Sequence, residues 1–92
     1  MTDIRLKPSV VKFIKTLPPK HQRQVKDYLL KLTDNPQPPD TKPLKGYGPY
    51  LRGDSGEYRV IYRYDKRRDC VTVVLVGRRN NDDVYKRFKR II

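Results

Sequence analysis

Apolar residues recur in this chain with two different periods. Between Pro8 and Leu32 they return every three or four positions, and between Tyr58 and Tyr64 at every second one. The helical period needs a one-sided helix and the alternating period a pleated strand. Residues 3–7 alternate and stop at Pro8, which predicts a short first strand. Pro8 suits the first turn of a helix, where its missing amide has no partner to lose. Val10, Phe13, Ile14 and Leu17 form that helix's stripe, and Pro18 and Pro19 end it and start the next. In the second helix Val25, Tyr28, Leu29 and Leu32 recur with basic residues between them. The two helices are expected as an antiparallel pair on one face of a sheet.

Residues 35–49 hold Pro36, Pro38, Pro39, Pro43 and Pro49, so an extended loop is expected there, with Leu44-Lys45-Gly46 leading back to the sheet. Residues 50–52 read as a short strand, and Asp54, Ser55 and Gly56 as turn chemistry. In the next strand Tyr58, Val60, Tyr62 and Tyr64 point one way and Arg59, Ile61 and Arg63 the other. Residues 65–69 make a polar hairpin turn. Residues 71–76 are apolar on both faces, as a central strand covered on both sides would be, and Gly77 closes it. Asn80, Asn81, Asp82 and Asp83 supply a helix N-terminus, and Val84, Phe88 and Ile91 the stripe of a short last helix. The expected fold is α+β, in the order β-α-α-β-β-β-α. It has one small, mostly antiparallel sheet backed by the helix pair, as a single domain over residues 1–92.

Charge narrows the function. Twenty-two Lys and Arg against 10 Asp and Glu leave +12 on 92 residues. That imbalance implies a polyanionic partner: nucleic acid, an acidic protein or an anionic membrane surface. Charge kept for solubility alone is the competing reading. Cys70, the one cysteine, has no partner for an internal disulfide and reads as a small buried hydrophobe. The first ten residues carry charges where a signal peptide needs an apolar stretch, and no run approaches a membrane span. A soluble, cytoplasmic protein is expected.

His21 is the lone histidine, which rules out a two-histidine ribonuclease mechanism. It begins the apolar stripe of the second helix and reads as a half-buried helix residue. Arg59 is either an exposed strand arginine, paired with Glu57 or Asp65, or a phosphate clamp suited to its guanidinium fork. Arg78 and Arg79 end a strand pointing in opposite directions. Arg79 shares the parity of Val71, Val73 and Leu75, so one arginine should face a cleft and the other solvent. Tyr85, one place off the Val84–Phe88 stripe, is either surface packing or a general acid or base, its phenolate favoured by nearby cations. Tyrosines interleaved with arginines can also stack unpaired bases. No ligand cluster implies a metal, and no cofactor is expected.

Four elements carry a resemblance: Leu44-Lys45-Gly46, then residues 56–62 (GEYRVIY), then Val76-Gly77-Arg78-Arg79, then Asp83-Val84-Tyr85. In order and spacing the chain resembles, over essentially its whole length, the RelE-type toxins of the RelE/ParE toxin–antitoxin superfamily. The resemblance implies a metal-independent endoribonuclease that cleaves A-site mRNA on the ribosome by 2′-hydroxyl attack. It implies that Arg59 binds the reacting phosphate, Arg79 assists at the phosphate or leaving group, and Tyr85 activates the 2′-hydroxyl or stacks a base. Two basic residues two apart, before the Tyr-Arg strand, are usual. Arg52 fits one position, but Tyr50 and Asp54 on either side are not basic, so the general base stays open, with Lys45 a possible substitute. Lys45, Arg63, Arg78 and Lys86 are the expected RNA contacts. An acidic antitoxin is the implied protein partner, folding over a strand face of Arg59, Ile61 and Arg63 that the helix pair leaves uncovered. Two alternatives stand: a ParE-like inhibitor of DNA gyrase, and a non-catalytic RNA- or ribosome-binding module.

Overall fold

The computed structural model describes residues 2–78 and 83–91, with side chains in the second stretch described from residue 86 to 90. The elements are β1 (Asp3–Leu6), α1 (Pro8–Lys15), α2 (Pro19–Asp34), β2 (Lys42–Pro43), β3 (Tyr50–Ser55), β4 (Tyr58–Asp65), β5 (Cys70–Arg78) and α3 (Asp83–Ile91). The sheet order is β1-β5-β4-β3-β2, with β1 parallel to β5 and every other pair antiparallel. The α+β class and the helix pair are as the sequence predicts. One strand is added: β2 lies inside the proline-rich stretch, giving β-α-α-β-β-β-β-α. Pro43 has no amide to donate, and the sheet edge is where a strand tolerates that.

Pro8 and Pro19 occupy the first helical turns of α1 and α2, as expected. The stripe Val10, Ile14, Leu17, Val25, Tyr28, Leu29 and Leu32 is buried against Tyr58, Val60 and Tyr62 of β4 and Val71, Val73 and Val76 of β5. The opposite face has its own small core. Leu44, Ile61, Val74, Leu75 and Phe88 are buried together, with Tyr47 and Tyr50 packed on them. The expectation of an uncovered Arg59–Ile61–Arg63 face is therefore corrected. The helix pair does leave it, but α3 lays Phe88 over Ile61, which is fully buried.

Two local departures have plain causes. The strand read as 50–52 continues to Ser55, and the turn is only Gly56 and Glu57. Asp54 is held in the strand by Arg59 directly opposite, and Ser55 Oγ donates to the Gln24 carbonyl at 3.2 Å. Cross-strand pairing here overrides the weak strand preference of aspartate. Gly56 takes φ 59° at the first central position of the two-residue hairpin, where a side chain is disfavoured. The second departure is a bulge. Ile61 pairs with Leu75 and Tyr62 with Val73, so Val74 is extra. Val73 then faces the helix pair while Leu75 faces α3, which breaks the parity linking Leu75 to Val71 and Val73. Cys70 is half-buried at the start of β5 rather than buried within it.

The β4–β5 turn fastens the N-terminal strand. Asp69, at φ 49°, accepts from Thr2 Oγ1 at 2.7 Å and from the Tyr64 hydroxyl at 2.9 Å, and its carbonyl accepts the Asp3 amide at 3.0 Å. The Thr2 hydrogen bond, then that of Tyr64, holds the Asp69 carboxyl below the usual carboxylate range. A depressed folded pKa contributes stability above the unfolded value that is lost as pH falls through the folded one. Asp69→Asn tolerates the positive φ but accepts these bonds less strongly. It should lower the melting temperature at pH 7 and flatten its fall below about pH 4. Parallel slopes for wild type and variant in melts from pH 7 to 2 would count against this anchor.

Candidate functional site

The α3 side of the sheet carries cross-strand rows. Asp54, Arg59 and Gly77 make one, across β3, β4 and β5; Lys42, Arg52, Ile61 and Leu75 make the next. Directly opposed residues share a face, so β2 and β3 bring Lys42 and Arg52 beside the Asp54–Arg59 pair. These residues, with Asp40 and Gly53, line a shallow cleft of about 340 Å³. Gly77 adds no side chain beside Arg59. Beyond it β5 ends at Arg78, opposite Tyr58.

Arg59 is the best-defined group in the cleft. Its Nε donates to Asp54 Oδ1 at 2.9 Å and its Nη2 approaches Oδ2 at 3.5 Å, with only 15% of the side chain exposed. Among the described residues Arg59 pairs with Asp54 rather than with Glu57 or Asp65. The pair fixes the guanidinium plane against the sheet. Lys42, Arg52 and Arg59 set three cations against the carboxylates of Asp40 and Asp54, so the cleft suits an anion.

Behind the cleft lies Tyr28. Its hydroxyl is buried with no hydrogen-bond partner among the described residues and rests against Gly53. Burial, then the Tyr62 hydroxyl, pushes its pKa well above the usual phenol range. A buried hydroxyl without a partner costs roughly 1–3 kcal/mol, so Tyr28→Phe should hold or raise stability, by up to about 1 kcal/mol. Gly53→Ala should do the reverse. Its Cβ would strike the Tyr28 hydroxyl and fall 2.8 Å from Cζ. Such overpacking typically costs about 1–3 kcal/mol. Because the Cζ contact survives loss of the hydroxyl, Tyr28→Phe should rescue Gly53→Ala only in part. Urea unfolding of the two single variants and the double variant checks both.

The other expected residues scatter. Lys45 is exposed and lies outside the cleft lining, whereas Lys42, opposite Arg52, lines it. A two-residue strand among prolines leaves no periodicity, so only the pairing reveals Lys42. Arg78 is exposed and, opposite Tyr58, belongs to the helix-pair side. Lys86 is exposed on α3. Arg63 sits four residues beyond Arg59 on β4, in a separate groove. Arg79 lies outside the described residues, as does the side chain of Tyr85, whose backbone belongs to α3. His21, half-buried as expected, is on the far face, its Nδ1 2.7 Å from the Tyr58 hydroxyl and its Nε2 3.8 Å from Glu57. Tyr58, Tyr62 and Tyr28 are core residues, not base-stacking platforms.

The fold is thus a small α+β domain, a mixed five-stranded sheet with a helix pair on one face, a short C-terminal helix on the other and a basic cleft. The family model of the ParE toxin of type II toxin–antitoxin systems matches residues 4–83, and the chain belongs to this RelE/ParE superfamily of toxins. No curated protein matches the chain. Among solved structures, RelE in the archaeal RelE–RelB complex from Pyrococcus horikoshii is 26% identical, with a TM-score of 0.78 over 87% of this chain and 97% of that one. The toxin–antitoxin complex RelBE2 from Mycobacterium tuberculosis gives 24% identity and a TM-score of 0.75 over 85% and 98%. Isolated Escherichia coli RelE gives 23% and 0.74 over the full length of both chains; at that identity the likeness is one of fold.

Proposed function

We propose that this toxin is a ribosome-dependent mRNA endoribonuclease. The observation that carries the reading is the cleft in which Arg59, oriented by Asp54, meets Arg52 and Lys42. In the proposed reaction the 2′-oxygen of a nucleotide attacks the adjacent phosphorus. The P–O2′ bond forms, the P–O5′ bond breaks, the 2′-hydroxyl loses a proton and the departing O5′ gains one. Arg59 holds the phosphate and offsets the charge of the phosphorane, with Arg52 and Lys42 adding to the field. Arg79 at the leaving group and Tyr85 at the 2′-hydroxyl or a base complete the assignment by family resemblance. General acid–base help supplies roughly 10²–10⁴-fold, so in-line positioning of the message by the ribosome carries a large share. Purified toxin should cleave message in a translating ribosome at least about 100-fold faster than the same RNA free in solution, the scale of one positioning effect. Equal rates would sink the ribosome-dependent reading. The protein partner proposed is an acidic antitoxin, in keeping with the solved relatives captured as RelE–RelB complexes.

A second reading, inhibition of DNA gyrase, is favoured by the match to the ParE family model and by Tyr50 and Asp54 flanking Arg52 where a basic residue is usual. Mapping mRNA 5′ ends after induction decides between them. New ends inside reading frames are expected. Growth arrest with unchanged ends and blocked supercoiling would assign the chain to gyrase.

A further inference from the structure

The same sheet face carries a second basic feature at its other end. Arg5 on β1, Thr72 on β5 and Arg63 on β4 form one cross-strand row. Strand spacing puts Arg5 and Arg63 about 10 Å apart. The β4–β5 turn raises Lys66, Arg67 and Arg68 beside this row, and Pro49 borders it, enclosing an open trough of about 740 Å³. Phe88 of α3 packs over Ile61, Val74 and Leu75, and none of these lines the trough. Five cations face two carboxylates there, Asp3 and Asp65. Asp65 is already engaged: its Oδ1 accepts the amides of Arg67 and Arg68 at 3.0 and 3.4 Å, and its Oδ2 lies 3.9 Å from Arg68 Nε. The turn is thus shaped by main-chain bonds, and the side chains of Lys66, Arg67 and Arg68 are all exposed, Arg68 with its ion pair to Asp65.

We propose that this trough is a second phosphate-backbone site, which docks structured RNA while the Arg59 cleft engages the scissile strand. The inference rests on the RNA-directed reading for the identity of the polyanion. Four of the five cations are arginines, whose planar forks suit phosphate and carboxylate alike. Two further observations choose RNA over an acidic polypeptide. The row is built on three strands, so the backbone anchors of Arg5 and Arg63 are held at a set separation. The lining offers no buried apolar pocket of the kind an amphipathic helix needs for its anchors. Arg59 and Arg63 are four residues apart on one strand face, about 13 Å, with Ile61 under Phe88 between them, so the two sites flank α3 on the same side and one large RNA surface spanning the helix can occupy them together. The second contact then raises the effective concentration of the first.

The test uses the purified full-length chain and a short RNA duplex as probe, with 30S ribosomal subunits in parallel. Each phosphate contact contributes about 0.7–0.9 to the slope of log K against log salt concentration. Arg63→Gln/Arg67→Gln/Arg68→Gln should flatten that slope by about 2–3 and weaken duplex binding at least tenfold at low salt. Lys15→Gln/Lys26→Gln, which removes two exposed cations from the helix pair and none from the trough, should leave duplex binding within about twofold. Melting curves check the fold, and the turn variant Arg67→Gln/Arg68→Gln, which spares the sheet, should give about two-thirds of the effect. An unchanged slope in the folded variants overturns the proposal. So does equal loss of binding to a B-form DNA duplex of the same length, or a loss confined to an acidic protein partner. Intact trough-dependent RNA binding in a protein that cuts no message would instead overturn the nuclease reading and leave the trough standing.

Discussion

Arg59→Ala should abolish growth arrest while leaving the protein folded. The guanidinium stands in the middle of the cleft, fixed by the 2.9 Å bond to Asp54 and only 15% exposed. Removing one preorganised donor to a developing negative charge costs about 10²–10³ in rate. Here the loss should sit at the upper end. With the arginine gone, the Asp54 carboxylate remains in the cleft and repels the phosphate that Arg59 would have held. Arg59→Lys keeps a charge but not the fork, and should retain only partial toxicity. Asp54→Asn separates the two effects. It relaxes the competition for Arg59 and should strengthen phosphate binding, while loosening the guanidinium and so lowering turnover. Growth curves with mapped 5′ ends report activity, and melting temperature reports the fold. Full toxicity from a folded Arg59→Ala protein would remove the cleft from consideration.

Both helices were legible because their stripes are long enough to show a period, and the residues of those stripes are the ones buried against the sheet. The alternation of β4 was equally plain, since one face packs on α1 and α2 and the other meets α3. What escaped was pairing. Lys42–Pro43 is too short for any pattern, and its strand character comes only from Arg52 and Leu51 alongside. Asp54 and Ser55 look like turn residues until Arg59 and Gln24 are seen to satisfy them. The bulge at Val74 was hidden because residues 73–76 are all apolar, so no polar position marks which face is which. That slip matters for function, since the parity drawn from Leu75 to Arg79 does not continue back to Val71 and Val73. Among the cleft residues Arg52 and Arg59 could be singled out in sequence. Lys42 and the role of Asp54 could not, because a cross-strand neighbour 5 or 10 residues away leaves no local signal.

Phe88→Ala should be the most destabilising single change on the α3 side. The side chain is 1% exposed and closes the small core of Leu44, Ile61, Val74 and Leu75. Its ring meets Tyr47 and Tyr50 edge-on, at centroid distances of 5.1 and 5.0 Å. Truncating a buried phenylalanine costs about 3–5 kcal/mol, and edge-on aromatic pairs add about 0.5–1.5 kcal/mol each. Small domains hold roughly 5–15 kcal/mol in all, so this change should remove a large part of the total and release α3 from the sheet. At about 4–8 °C per kcal/mol for a chain of this size, the melting temperature should fall by about 15 °C or more. Leu30→Ala is the control: Leu30 is 61% exposed on α2 and should shift the melt by no more than about 0.5 kcal/mol. Phe88→Leu, which refills much of the volume, should recover over half of the loss. Toxicity should follow the melts, because α3, which includes Tyr85, packs on the sheet through Phe88. A Phe88→Ala protein that melts within a few degrees of wild type would show that α3 is held by something other than this aromatic cluster.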